Sequence, residues 1–460
     1  MPNSDNQSYI IRMADGTIKQ FNPFSGTEVW TVPGRAHRPF EHEGRKARTI
    51  TDLDNTCTFC AGRIRETPPE KARVVKDSRK NGTKGKAKNA AKKSVKGSSE
   101  NGYTILEGGG VDMLASEWEF RRVPNLFEII SYEYWKQNYG FEMDRESRSR
   151  MEAYIADPAG KAHLLEVVEM KLAISEKTDG INTKDERALL RLAEPFFGGG
   201  HDVIVARRHY VDGAKKTDQL ASAGTLTPEE HAWYMKLTVE AMRDLYKRNR
   251  YARYVQVFQN WLKASGASFD HLHKQLVAID ERSVGTRNEI PLLRANPNIY
   301  NEYVVNYAVG NNLVVAENDH AVAIAGFGHR YPTLEVWSRS RASQPWDHSE
   351  KEQRAMSDLV HAMHAVTGVD VPTNEEWYSA PIDLDVPMPW RILLKWRIST
   401  LAGFEGGSKI YVNTVSPYAL RDKVTEQLLE LRAEGRIAGD IRIASECSGG
   451  VNSLLYNRNL

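Results

Sequence analysis

The stretch Val255–Gln275, VQVFQNWLKASGASFDHLHKQ, constrains this chain more than any other. Val255, Val257 and Phe258 are strand formers. Gly266, Ala267 and Ser268 follow as a small-residue loop that lets the backbone approach a ligand closely. Then comes His271-Leu272-His273-Lys274-Gln275. An extended segment alternates its side chains, so His271, His273 and Gln275 share one face. Lys274 points away from His273 and is read as solvated. Two imidazoles and an amide on one face, beside such a loop, make a site that can hold a phosphate and attack it. The competing reading is a pair of surface histidines at a strand edge.

The chain around this stretch is long enough, at 460 residues, for two medium domains or one elaborated one. With 41% hydrophobic and 27% charged residues, its composition is that of a soluble globular protein. No apolar run approaches the roughly 20 residues that span a bilayer. The N-terminus is polar and lacks a signal-peptide core, so the expected location is cytoplasmic. Three cysteines, Cys57, Cys60 and Cys447, exclude a disulfide framework. The net charge of +2 conceals a segregation: residues 76–98 carry +8, leaving −6 on the remainder (+2 minus +8). That basic segment is low in complexity and has no apolar period, so it cannot offset its ordering entropy. It reads as a disordered insertion at about 74–102. Contact with nucleic acid is a weak option for it, because no aromatic interleaves its lysines.

Along the chain, Asn22–Thr27 reads as a turn and Glu28–Val32 as a strand. Arg35 and Arg38 follow in a basic, extended segment. Guanidinium pairs there suit phosphate binding, with two solvated arginines as the plainer reading. Cys57-Thr58-Phe59-Cys60 is a CxxC whose flanking glycine, charges and prolines favour a metal over a redox pair. Helical spacing runs over 145–176, broken at Pro158, with a short helix at Lys184–Leu192. A strand covers Asp202–Ala206. Thr227 caps a helix that has Pro228 in its first turn and reaches about Arg248. Beyond residue 316 the grammar recurs. His320–Gly326, Tyr331–Trp337, Trp390–Trp396 and Ile410–Val412 read as strands. Residues 348–366 and Val424–Ala433 read as helices, and Gly403–Gly407 as a loop. The recurrence indicates a duplicated α+β unit.

Six separated blocks agree with one family: Asn22–Pro39, Cys57–Gly62, Val123–Phe127, Asp202–His209, Val255–Gln275 and Leu401–Pro417. Through them the chain resembles the galactose-1-phosphate uridylyltransferase family of the histidine triad superfamily, near its ADP-glucose phosphorylase-like members. The resemblance covers most of the chain apart from the basic insertion and parts of the first helical region. It implies tandem histidine-triad-like units, each a mainly antiparallel sheet flanked by helices, divided here as 1–290 and 291–460.

The same resemblance assigns roles. His273 is the nucleophile that attacks the α-phosphorus of a nucleotide and becomes a nucleotidyl-histidine. Gln275 and Ser268 hydrogen-bond the phosphoryl oxygens. Arg35 and Arg38 bind phosphate, Asn125 meets the nucleotide, and Asn260 orders the loop. Glu405 and Asn413 face the sugar or acceptor, while Arg391, a departure from the family's pattern, contacts a substrate phosphate or forms a structural ion pair. Cys57, Cys60, His209 and His271 hold one zinc, with His201 as the alternative to His209. A Cys₂His₂ set leaves no open position, so the zinc is structural. The partners implied are a nucleotide sugar, a sugar phosphate or phosphate, and a second copy in a homodimer. The reaction implied is ping-pong transfer of UMP or AMP. Alternatives are a dinucleoside polyphosphate or ADP-sugar phosphorylase or hydrolase, and a catalytically altered nucleotide-binding protein. Two departures stand out. Leu272 replaces the family's proline between the histidines. Pro389-Trp390-Arg391 stands where many members carry HWH, so no second metal is expected there. Cys447 reads as a buried thiol.

Overall fold

The computed structural model describes residues 8–35, 47–76, 102–175 and 185–457. Its strands, in chain order, are β1 (Ile10–Arg12), β2 (Ile18–Phe21), β3 (Glu28–Thr31), β4 (Ala72–Lys76), β5 (Tyr103–Glu107), β6 (Phe120–Pro124), β7 (His201–Ala206) and β8 (Tyr254–Trp261). They continue with β9 (His273–Ile279), β10 (Val314–Glu317), β11 (Ala321–Ala325), β12 (Thr333–Ser338), β13 (Thr373–Tyr378), β14 (Arg391–Trp396), β15 (Ile410–Asn413) and β16 (Arg442–Ile443).

Twelve of these strands form one sheet, ordered β16-β10-β11-β12-β14-β13-β8-β9-β7-β6-β4-β5. Its centre is the antiparallel β8–β13 pair, in which Phe258 lies opposite Glu376. Outward from that pair the two halves match: β9 with β14, β7 with β12, β6 with β11, β4 with β10. The register makes the match quantitative. Gln275 pairs with Phe258, and Leu393 pairs with Glu376. A two-fold axis through the Phe258–Glu376 pair therefore carries Gln275 onto Leu393 and His273 onto Arg391. The duplication expected from the sequence is present, as an α+β fold whose two halves share a single sheet. The expected boundary at 290/291 falls inside the helix Val284–Ala295.

The alternation of β8 shows why one face is covered. Val255, Val257, Gln259 and Trp261 are buried, while Gln256, Phe258 and Asn260 are half-buried. Over the buried face lies the helix Pro228–Arg248, started by a Thr227–Glu230 capping box with Pro228 in its first turn. It buries Trp233, Tyr234, Leu237, Ala241 and Leu245. The helix Glu350–Thr367, opened by a Ser349–Glu352 capping box, is its counterpart, and the two pack together. The opposite face carries the half-buried Gln256, Phe258 and Asn260 of β8 and Gln275 of β9.

The remaining strands build a small sheet, β1-β2-β3-β15. β15 joins β3 in parallel, which brings the Asn22–Trp30 and Leu401–Pro417 blocks together. Ile10 and Ile18 pack with Leu293, Tyr300 and Val304, so this sheet rests on the second half.

The sequence reading missed β4, β5, β10, β13 and β16, and it shortened the last helix, which begins at Pro417 behind the Ser416 cap. Gly403–Gly407, read as a loop, lies in the short helix Gly403–Ser408. β4 and β5 pair as a hairpin on either side of the basic segment, whose residues 77–101 lie outside the described ones. Cys447 is half-buried rather than buried. No helix among the described residues is long and apolar enough to cross a membrane.

Candidate active site and metal centre

Cys57 and Cys60 sit on a tight turn closed by Cys60 N donating to the Cys57 carbonyl (2.9 Å). The Cys57 amide points at Cys60 Sγ (3.4 Å). Gly62 permits the turn, because a Cβ there would lie 2.4 Å from the Asn55 side chain and 2.8 Å from the Asp54 carbonyl. His209 follows β7, and His271 precedes β9. The four side chains are buried, and their donor atoms all lie within 4.8 Å of one another.

The separations test the donor set. Cys57 Sγ lies 3.7 Å from Cys60 Sγ. The sulfur–Nδ1 distances are 3.5 and 3.3 Å to His209 and 3.5 and 3.8 Å to His271. A tetrahedral zinc with Zn–S about 2.3 Å and Zn–N about 2.0 Å requires sulfur–sulfur edges of about 3.8 Å and sulfur–nitrogen edges of about 3.5 Å. The cluster fits. His271 Nε2 donates to the Ala206 carbonyl (2.6 Å). That bond fixes the tautomer and leaves Nδ1 as the ligand atom. The Cys57–Cys60 hydrogen bond pulls the Cys60 thiol down, while that bond and burial push Cys57 up. A dication held here would keep both as thiolates. His201, the alternative ligand, is not in the cluster.

His273 opens β9 two residues beyond His271. Its Nδ1 donates to the His271 carbonyl (2.7 Å), so Nε2 carries the lone pair. Nε2 has no hydrogen-bond partner among the described residues. Phe59, from the CxxC turn, packs against both rings, with centroids 6.1 Å from His271 and 5.2 Å from His273. Burial lowers the His273 pKa to about 4, against the opposing bond to the His271 carbonyl. The imidazole is therefore neutral near pH 7.

Gln275 shares this face of β9, half-buried. His201 Nδ1 accepts from the Ile129 amide (3.2 Å), so its Nε2 donates to Gln275 Oε1 (3.0 Å). Burial drives the His201 pKa down to about 4. Asn125 Nδ2 also donates to Gln275 Oε1 (3.4 Å). His201 and Asn125 thus hold the amide in one orientation, with its NH₂ group free to donate.

The other expected residues stand as follows. Ser268 is exposed in the β8–β9 loop. Asn260 Oδ1 accepts from Asn374 Nδ2 (2.7 Å), and the same Nδ2 reaches the Ser265 carbonyl (2.9 Å). That loop turns through Leu262 and Gly266, both at positive φ. Arg35 closes the turn Pro33–Arg35. Its side chain and the whole of Arg38 lie outside the described residues. Glu405 accepts from the Ala402 amide (3.1 Å) at the start of its own short helix, and Asn413 bonds to the His329 carbonyl (3.1 Å). Both belong to the region of the small sheet. Arg391 is paired with Glu289 (2.5 Å).

Lys274 corrects its sequence reading. It does point away from His273, but it is fully buried rather than solvated. Its Nζ meets Glu375 (2.5 Å) between the Tyr234 and Trp377 rings. The face opposite His273 is the one the helices cover.

A family model described as "Domain of unknown function (DUF4921)" matches residues 13–456. The chain belongs to this DUF4921 family. An ADP-glucose phosphorylase from Arabidopsis thaliana is 23% identical over 270 residues, 57% of this chain and 73% of that protein. The crystal structure of an Arabidopsis thaliana ADP-glucose phosphorylase with bound ADP-glucose superimposes with a TM-score of 0.54 at 17% identity, over 89% of this chain and 97% of that one. A galt-like protein of the same plant superimposes with a TM-score of 0.50 at 17% identity, over 81% and 92%. DUF4921 here therefore has the fold that the sequence resemblance implied.

Proposed function

We propose that this DUF4921 protein is a nucleotidyltransferase that works through a nucleotidyl-histidine at His273. The observation that carries the reading is the hydrogen bond from His273 Nδ1 to the His271 carbonyl. It holds the ring with Nε2 unprotonated on the face of the sheet that the two long helices do not cover. Nε2 attacks the α-phosphorus of a nucleoside diphosphate sugar; the P–N bond forms as the bond to the bridging oxygen breaks, and sugar phosphate leaves. A phosphate or a second sugar phosphate then attacks the same phosphorus and releases Nε2. Gln275 NH₂, steadied by His201 and Asn125, donates to a phosphoryl oxygen as charge develops. Ser268, exposed in the β8–β9 loop, is assigned the role of a second donor. Arg35 and Arg38 are assigned to the phosphates, and Glu405 and Asn413 to the sugar or acceptor. Cys57, Cys60, His209 and His271 would hold a zinc, which would supply a cross-link between the CxxC turn and the nucleophile strand. The named relatives favour ADP-glucose over UDP-glucose as the first donor to try.

The experiment is intact mass after incubation with ADP-glucose, UDP-glucose and diadenosine tetraphosphate in turn, beside His273→Ala. An adenylyl or uridylyl adduct that vanishes in the variant is expected. Absence of adduct and of turnover with all three donors, in folded and metal-loaded protein, rejects the reading in favour of a nucleotide-binding role.

A further inference from the structure

A cavity of about 400 Å³ opens on the same sheet face of the second repeat, with Asn22, Pro23 and Phe24 of the N-terminal segment also lining it. It is built around the two-fold mate of the nucleophile position. Its charges pair off incompletely. Arg391 meets Glu289 (2.5 Å), Lys395 meets Glu376 (2.6 Å), and His329 meets Glu335 (2.7 Å). Arg330 and Arg397 remain, and neither has an ion-pair partner among the described residues. Their guanidinium carbons lie 4.8 and 4.7 Å from the centroid of one ring, Tyr331. Each has a buried Nε without a hydrogen-bond partner. Two cations stacked on one tyrosine with no carboxylate between them repel each other, and each leaves donors unused in a half-buried place. That arrangement is costly unless an anion completes it.

We propose that this cavity binds a phosphate monoester, with Arg330 and Arg397 sharing its phosphoryl group. Charge selects the class: a phosphate monoester near pH 7 carries close to −2, against two unpaired cations. Guanidinium forks match phosphoryl oxygens in pairs. The volume beyond the arginines accommodates a sugar or nucleoside. Arg397 Nη1 donates to Asn374 Oδ1 (2.5 Å), and Asn374 reaches Asn260 on β8 (2.7 Å). The cavity is thus linked to the strand beside His273 by two hydrogen bonds, while sharing no residue with the nucleophile site. The inference does not rest on nucleotidyl transfer.

The test is calorimetric titration of the full chain with glucose-1-phosphate, inorganic phosphate and glucose. The proteins are the wild type, His273→Ala, Arg330→Met and the Arg330→Met, Arg397→Met double variant. Methionine keeps the stacking volume on Tyr331. Glucose-1-phosphate is expected to bind wild type and His273→Ala alike, and at least about tenfold more weakly to the double variant, since charged hydrogen bonds are lost. Glucose is expected not to bind. Should the double variant not fold, a loss of about threefold or more in Arg330→Met, with an unchanged melting temperature, serves instead. Undiminished affinity in the folded double variant, loss of binding in His273→Ala, or no binding to wild type overturns the proposal. Inorganic phosphate binding as tightly as the ester also overturns it, by showing a site for the free ion.

Discussion

Glu375 shows how much a buried carboxylate depends on its partners. It is a carboxylate in the middle of a sheet, fully buried, and it takes Lys274 Nζ (2.5 Å), His364 Nε2 (2.6 Å) and Trp377 Nε1 (2.5 Å). Burial raises its pKa, but Lys274 and His364 outweigh this and hold it ionised. Lys274→Met leaves that charge two neutral or weakly basic donors. We expect a loss of about 3 kcal/mol in the urea unfolding free energy, the low end for breaking a buried pair. Adding Glu375→Gln should restore most of it; a Lys274→Met loss below about 1 kcal/mol would show that the other donors suffice. Glu128 is the opposite case. Its Oε1 is buried without a partner, and burial lifts its pKa from 4.5 to about 7. A raised carboxyl pKa stabilises the fold at low pH, and that stabilisation is lost as pH rises from about 4.5 through about 7. Glu128→Gln removes the titration. Its melting temperature relative to wild type should therefore rise between pH 5 and pH 8, on the order of 1–2 kcal/mol in stability. A constant difference would mean Glu128 stays ionised. Alternation along β9 gave the direction of Lys274 correctly; it could not say that helices cover that side.

At the scale of elements, the CxxC turn is a strap whose two cysteines join His209 and His271 in one buried cluster. Around it, 47–60 forms no regular strand or helix, apart from an isolated bridge at Thr49–Lys216. Cys57→Ser removes one of four ligands, so zinc content measured by plasma mass spectrometry should fall from about one per chain to near zero. Limited proteolysis should then cut near residues 50–60 well before the sheet is attacked, because little else ties the strap down. Retention of zinc by the variant would place the metal elsewhere. The strap was legible in the sequence because cysteine spacing survives without knowledge of the fold. β13 was not legible, because Glu375 and Glu376 make TNEEWY look solvent-facing. Their partners, Lys274 and Lys395, lie 101 and 19 residues away, and no local pattern reports such distances. The helix Pro228–Arg248 was read well because Thr227 and Glu230 announce it within four residues, whereas the capped helices Tyr132–Tyr139 and Val284–Ala295 were missed. The last helix was read short because its apolar period is clear only from Val424 onward.

For the whole molecule, the duplication visible in the sequence does not reveal that both repeats contribute to one sheet and one core. Val255, Val257 and Leu276 from the first repeat belong to the same apolar cluster as Val336, Ile392 and Met356 from the second. The β8–β13 pair is the seam, and the two capped helices pack across it. Separating the repeats would expose the edges of β8 and β13 together with Trp261 and Trp377, an arrangement that invites aggregation. We therefore expect a single calorimetric unfolding transition for the metal-loaded chain, with van't Hoff and calorimetric enthalpies in agreement. Residues 1–290 and 291–460, expressed apart, should be insoluble or unfolded by circular dichroism, and co-expression should recover soluble protein if the seam can form between chains. Two resolved transitions, or a folded 1–290 fragment, would instead show that the repeats are independent units. The first repeat presents His273 and the second presents Arg391 at the equivalent place, and the shared sheet fixes these two positions relative to each other.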